Sequence, residues 1–129
     1  MKYYFSKTVA LSFEDTIEKV IAELKKEGFG VLTDIDVKQT LKKKLNVDFK
    51  KYRILGACNP PFAYKALQVE DKIGTMLPCN VIVQEINERQ VEVAAIDPVA
   101  SMQAVANPGL KDIAEQVQGK LKKVIENIQ

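Results

Sequence analysis

Cys79-Asn80-Val81-Ile82-Val83-Gln84-Glu85-Ile86, then Asn87-Glu88-Arg89, then Gln90-Val91-Glu92-Val93-Ala94-Ala95-Ile96 is the stretch on which the fold turns. Two apolar-rich runs of strand length flank a short polar connection, which predicts a pair of adjacent antiparallel strands. Parallel neighbours need a crossover of about a dozen residues or more, so this pair argues against a purely parallel sheet.

Downstream, Asp97-Pro98 and Asn107-Pro108 each place a capping side chain before a proline, a helix-start signal. The first opens a short turn or helix around Met102. The second opens a final helix in which Leu110, Ile113, Ala114, Val117, Leu121, Val124, Ile125 and Ile128 trace one apolar stripe. Upstream, Tyr52 to Cys58 reads as a third strand, and Asn59-Pro60 begins a helix carrying Phe62, Ala63, Ala66 and Leu67. Tyr3 to Val9 alternates as a first strand. Ser12 then caps a helix whose Ile17, Val20, Ile21 and Leu24 recur at helical spacing until Gly28 stops it. Phe29 to Val37 alternates as a second strand with Asp34 and Asp36 facing outward, and Lys38 to Asn46 is at most a short basic surface helix.

The order is β-α-β-(α)-β-(α)-β-β-α. A hairpin with segregated long helices predicts an α+β fold, a mainly antiparallel sheet of about five strands with two long helices packed on one face. With 129 residues, 47% of them hydrophobic, and no repeat or linker, residues 1–129 are expected to form a single domain.

Histidine is absent, which removes histidine-dependent nucleophilic catalysis and histidine-ligated zinc from what one chain can assemble. The net charge is +2, but seven basic residues stand against Asp48 alone between Lys38 and Arg53. With little aromatic interleaving beyond Phe49 and Tyr52, that stretch reads as a solvated face, and nucleic acid is not the expected partner. Asp34 and Asp36 likewise read as a solvated edge. The amino-terminal residues lack the apolar run of a signal peptide, and no run reaches the ~20 apolar residues of a membrane span. The expected location is the cytoplasm, where two cysteines stay reduced.

Those cysteines carry the candidate chemistry. Cys58-Asn59-Pro60-Pro61 and Leu77-Pro78-Cys79-Asn80 each set a sulfur where a strand meets proline-stiffened backbone. If strands three to five form a meander, Cys58, Cys79 and Asp97 fall on one edge of the sheet, with Asn59 and Asn80 beside the thiols. Free cysteine is more often a small packing hydrophobe than a reactive group, and that reading stands beside the functional one. Two thiolates suit Cu(I), with Met102 or Met76 as a thioether ligand, while zinc would be left half coordinated.

Gly56-Ala57-Cys58-Asn59-Pro60, Ala63 through Leu67, Leu77-Pro78-Cys79-Asn80-Val81 and Asp97-Pro98, in this order after a strand-helix-strand opening, resemble the bacterial and archaeal domain-of-unknown-function family numbered 302. The resemblance covers nearly the whole chain. It implies a compact α+β fold of the kind compared with TATA-binding-protein-like domains, and a homodimer; it implies no established activity and carries over no catalytic residue. The combined expectation is a small cytoplasmic homodimeric binding module for a small ligand or soft metal. Cys58, Asn59, Cys79, Asn80 and Asp97 would line its site, and Cys58 and Cys79 would be the metal ligands. The alternative class is a thiol-dependent enzyme or redox sensor, and a third is an electrostatic nucleic-acid adaptor. The sequence names no cofactor.

Overall fold

In the computed structural model, which describes residues 2–129, the hairpin quoted above is β4 (Cys79–Asn87) and β5 (Gln90–Ile96). Asn87 caps the turn between them, accepting a hydrogen bond from the Arg89 amide and donating to Gln90. The hairpin is the centre of a five-stranded antiparallel sheet ordered β1-β5-β4-β3-β2, completed by β1 (Tyr4–Val9), β2 (Gly30–Asp36) and β3 (Tyr52–Cys58). Gln90 to Ile96 is an interior strand: β1 and β4 flank it. The free edges are β1 and β2.

Two long helices cover one face. In α1 (Phe13–Lys26), the Ser12 hydroxyl accepts from the Asp15 amide, Glu14 and Asp15 sit in the first turn, and Gly28 supplies a φ of 86° at the stop. In α5 (Pro108–Glu126), Asn107 accepts from the Gly109 amide and Pro108 occupies the first turn. Val20 and Leu24 of α1 and Val117, Leu121 and Val124 of α5 pack on Leu55, Val81, Val83, Val91 and Val93 of the sheet, forming the main core. Alternation then consigns the neighbours Tyr52, Ile54, Ile82, Gln84, Glu92 and Ala94 to the opposite face.

The connections are α2 (Val37–Leu45) between β2 and β3, α3 (Pro60–Val69) and a 3₁₀ segment (Asp71–Met76) between β3 and β4, and α4 (Pro98–Ser101) after β5. α2 buries no residue, as its two-leucine pattern implied. A second, smaller cluster of Ala66, Ile73 and Leu110 packs beneath α3 and the start of α5. Asn107 ties these together, its amide donating to the Val69 carbonyl and to Glu70.

One strand departs from its sequence pattern. β2 carries a bulge between Val31 and Thr33, after which every side chain changes side. Ile35 consequently pairs with Ile54 on the open face and is exposed, while Asp34 and Asp36 pair with Leu55 and Arg53 on the helix-bearing side. Asp34 is not a bare solvated carboxylate: the Arg53 guanidinium donates to both its oxygens, Nε at 2.7 Å from Oδ1. That bond raises the Arg53 pKa.

Candidate functional site

The meander brings the end of β3, the start of β4 and the end of β5 to one end of the sheet, and a cavity of about 310 Å³ opens there. It lies at the seam between the main core and the smaller cluster. Phe29, Phe62 and Val117 approach it from the first, and Ala66, Leu77, Met102 and Ile113 from the second. Alanine at 57, 63, 66 and 114 leaves room where larger apolar residues would close the seam. These alanines and Phe62 are the contributors that residue-type reasoning passed over, because small residues on apolar faces read as ordinary helix and strand packing.

Both thiols border this cavity, and neither is in a disulfide. Cys79 pairs with Ala57, and Cys58, one residue farther on, pairs with Gly30. The ladder places the two cysteine Cα atoms about 6 Å apart, on opposite pleats, with the cavity wrapping the strand ends between them. Cys79 is buried and Cys58 half-buried. Burial pushes the Cys79 thiol up from its ordinary 9.0 to about 11, and the neighbouring Cys58 sulfur acts in the same direction. At neutral pH Cys79 is a protonated, weakly polar wall atom rather than a nucleophile. Met102 also borders the cavity, whereas Met76 is exposed and stands off it. Among the described residues no cluster of three His, Cys, Asp or Glu groups is placed to hold a metal ion.

The other expected site residues divide. Asn59 lines the cavity and is buried, but its amide donates to the Glu27 carbonyl at 3.1 Å, stitching the end of α1 to the start of α3. It makes no side-chain cap bond to its own helix; Pro60 and Pro61 supply that start signal. Asp97 sits at the same end, with Pro98 on the cavity wall, yet its carboxylate is taken up by the Val99 and Ala100 amides and by Gln118. Asn80 is not brought to the cavity. It is exposed on the open face and borders a separate groove with Tyr52 and Gln84, because the residue after Cys79 must take the other pleat.

The family model described as Domain of unknown function DUF302 matches residues 5–128. The chain belongs to the DUF302 family. A solved relative, the crystal structure of uncharacterized conserved protein DUF302 from Bacillus stearothermophilus, is 28% identical, with both chains covered in full and a TM-score of 0.92. No curated protein matches. The DUF302 assignment confirms the resemblance and the α+β architecture. No helix among the described residues is long and apolar enough to cross a membrane.

Proposed function

We propose that this DUF302 chain is a binding module that takes a small, mainly apolar ligand into the cavity at the Cys58 and Cys79 strand ends. The observation that carries the reading is the cavity itself: about 310 Å³, within the range of small-ligand sites, walled by aromatic and aliphatic side chains with two thiols at its border. The polar groups nearby are already partnered, Asn59 to Glu27 and Asp97 to the start of α4, so specificity would come from shape and soft sulfur contacts. Free thiols fit a reducing, cytoplasmic setting. A thiol-dependent enzyme is the weaker reading, since burial keeps Cys79 protonated.

One observation favours a second reading. Cys58, Cys79 and Met102 all line the same cavity, and thiol and thioether groups are ligand types suited to Cu(I) rather than zinc. The two readings separate in one titration series. Nuclear magnetic resonance with indole as the apolar probe should give saturable shifts at Ala57, Ala66, Gly74 and Ala114, and Ala66→Leu should remove them by filling the space. Cys58→Ser and Cys79→Ser should leave indole binding within a few-fold. Cu(I), titrated against a chromophoric chelator, should instead lose tight binding in each serine variant if the sulfurs share a metal. Absence of saturable indole shifts at millimolar concentration overturns the apolar-ligand reading.

A further inference from the structure

Among the side chains on the wall of the cavity, only Asn59 carries nitrogen or oxygen, and its amide nitrogen is already taken by the Glu27 carbonyl. A polar group carried deep into this space would leave water for carbon and sulfur without gaining a partner. The polar end of a ligand therefore stays at the border while its apolar body fills the interior. That border has a sign. Phe62 lines the cavity and is itself only half-buried, and the ammonium groups of Lys65 and Lys120 lie 5.7 Å and 6.0 Å from the centre of its ring. Both cations thus stand about one aromatic side chain away from the space.

Neither is firmly held by an acid. Lys65 belongs to none of the ion pairs among the described residues, and the nearest carboxylate oxygen to Lys120, that of Glu27, is 4.0 Å away. The start of α3 adds to the same side: Pro60 and Pro61 bring no N–H, Asn59 makes no side-chain cap bond, and the positive end of the helix dipole is left facing the border at Phe62. We propose that the cavity takes the chain of an aliphatic carboxylate, with Lys65 and Lys120 holding the carboxylate head beside Phe62. The volume sets the chain length. A methylene fills roughly the ~30 Å³ share of a water molecule, so about 310 Å³ has room for about ten carbons. The thiols of Cys58 and Cys79 are then soft, weakly polar contacts to the chain.

This assignment rests on the apolar-ligand reading of the same cavity, and the probes are chosen so that the two fail separately. Octanoate, octan-1-ol and octyltrimethylammonium share a chain and differ in the charge of the head. Nuclear magnetic resonance titration at pH 7.5 and low salt should give saturable shifts at Ala57, Ala66 and Ala114 with octanoate, at least ~3-fold tighter than with octan-1-ol and tighter still than with the cation. Hexanoate should bind about 15-fold more weakly than octanoate, the effect of two fewer buried methylenes. In the double variant Lys65→Gln, Lys120→Gln, two surface substitutions, octanoate should fall to the affinity of octan-1-ol while indole binding stays within ~2-fold. Salt at ~0.5 M should erase the preference in the wild type. Saturable indole shifts with octanoate no tighter than octan-1-ol would overturn the carboxylate assignment and leave the apolar-ligand reading standing; absence of shifts with indole and with every octyl probe would overturn both. A preference for octanoate that survives the double substitution also overturns the assignment, since the head would then be held elsewhere.

Discussion

Leu55 and Ile54 are neighbours on β3 with opposite environments, and the contrast between them is that between the two faces of the sheet. Leu55 is fully buried under α1 and α5; Ile54 lies half-buried on the open face among Ile35 and Ile82. One face has its packing partners within the chain. On the other, Ala94, Ile82, Ile54 and Ile35 are successive cross-strand partners that stand outside the buried core clusters of the described residues. The helix-bearing face accounts for the fold of the single chain. The first test widens this contrast. Leu55→Ala should lower unfolding stability by about 2–5 kcal/mol and Ile54→Ala by under ~1 kcal/mol. Urea denaturation measures both, and equal losses would break the comparison.

How far these faces were legible follows from where side-chain alternation is interrupted. β3, β4 and β5 alternate cleanly, so their meander, the helices above it and the common end of Cys58 and Cys79 could be read from the sequence. The β2 bulge could not: it inserts one residue between Val31 and Thr33, where Gly30 just before it reads equally as the end of the preceding helix stop, and so moved Ile35 and Asp34 to the sides opposite those expected. The cavity was only half legible. Its thiols carry distinctive sequence contexts, but its space is made by alanines whose significance appears only when two clusters meet at a seam.

The cavity end sharpens the comparison through pH. Cys79 shares the covered pleat with Leu55 and is protonated when folded, its pKa raised from 9.0 to about 11 chiefly by burial. Below pH 9 both folded and unfolded thiols hold the proton. Between pH 9 and 11 the unfolded chain releases it while the folded chain retains it, so stability falls as pH rises through that window. The loss attributable to Cys79 should approach about 2–3 kcal/mol near pH 11. Comparing wild type with Cys79→Ala by urea melts at pH 8 and 11 isolates this contribution from other titrating groups; identical pH dependence would show Cys79 to be accessible. Iodoacetamide should accordingly modify Cys58 well before Cys79 at pH 8.

Gly56 marks where the open face closes over. A methyl group there would lie 2.1 Å from Thr33 Oγ1 and 2.7 Å from Pro78 Cγ, so Thr33 and Pro78 already occupy the space above it. Gly56→Ala is therefore expected to cost about 1–3 kcal/mol, the scale of overpacking, although its strand conformation suits alanine. Thr33→Ala should restore part of the loss by removing the nearer contact. A Gly56→Ala variant as stable as wild type would mean that this corner of the open face yields easily.

The smallest effect is expected at the basic stretch from Lys38 to Arg53, which contrasts with the open face by being charged throughout. Four of its seven cations already have partners in the chain. Lys38 donates to the Phe49 carbonyl, Lys42 pairs with Asp48, Lys51 with Glu14 and Arg53 with Asp34. The partners hold these groups at the surface, and exposed pairs contribute little, so Lys42→Gln should change stability by under ~0.5 kcal/mol. The same arrangement limits polyanion binding. If Lys43, Lys44 and Lys50 met phosphates, three contacts would lose about 40-fold in affinity between 50 and 200 mM salt. Duplex DNA or single-stranded RNA should therefore bind only at low ionic strength, with retention in a filter assay gone at ~0.15 M salt. Retention at submicromolar protein in that salt would instead show that the intramolecular pairs open for phosphate, and the basic end would then be an interaction surface.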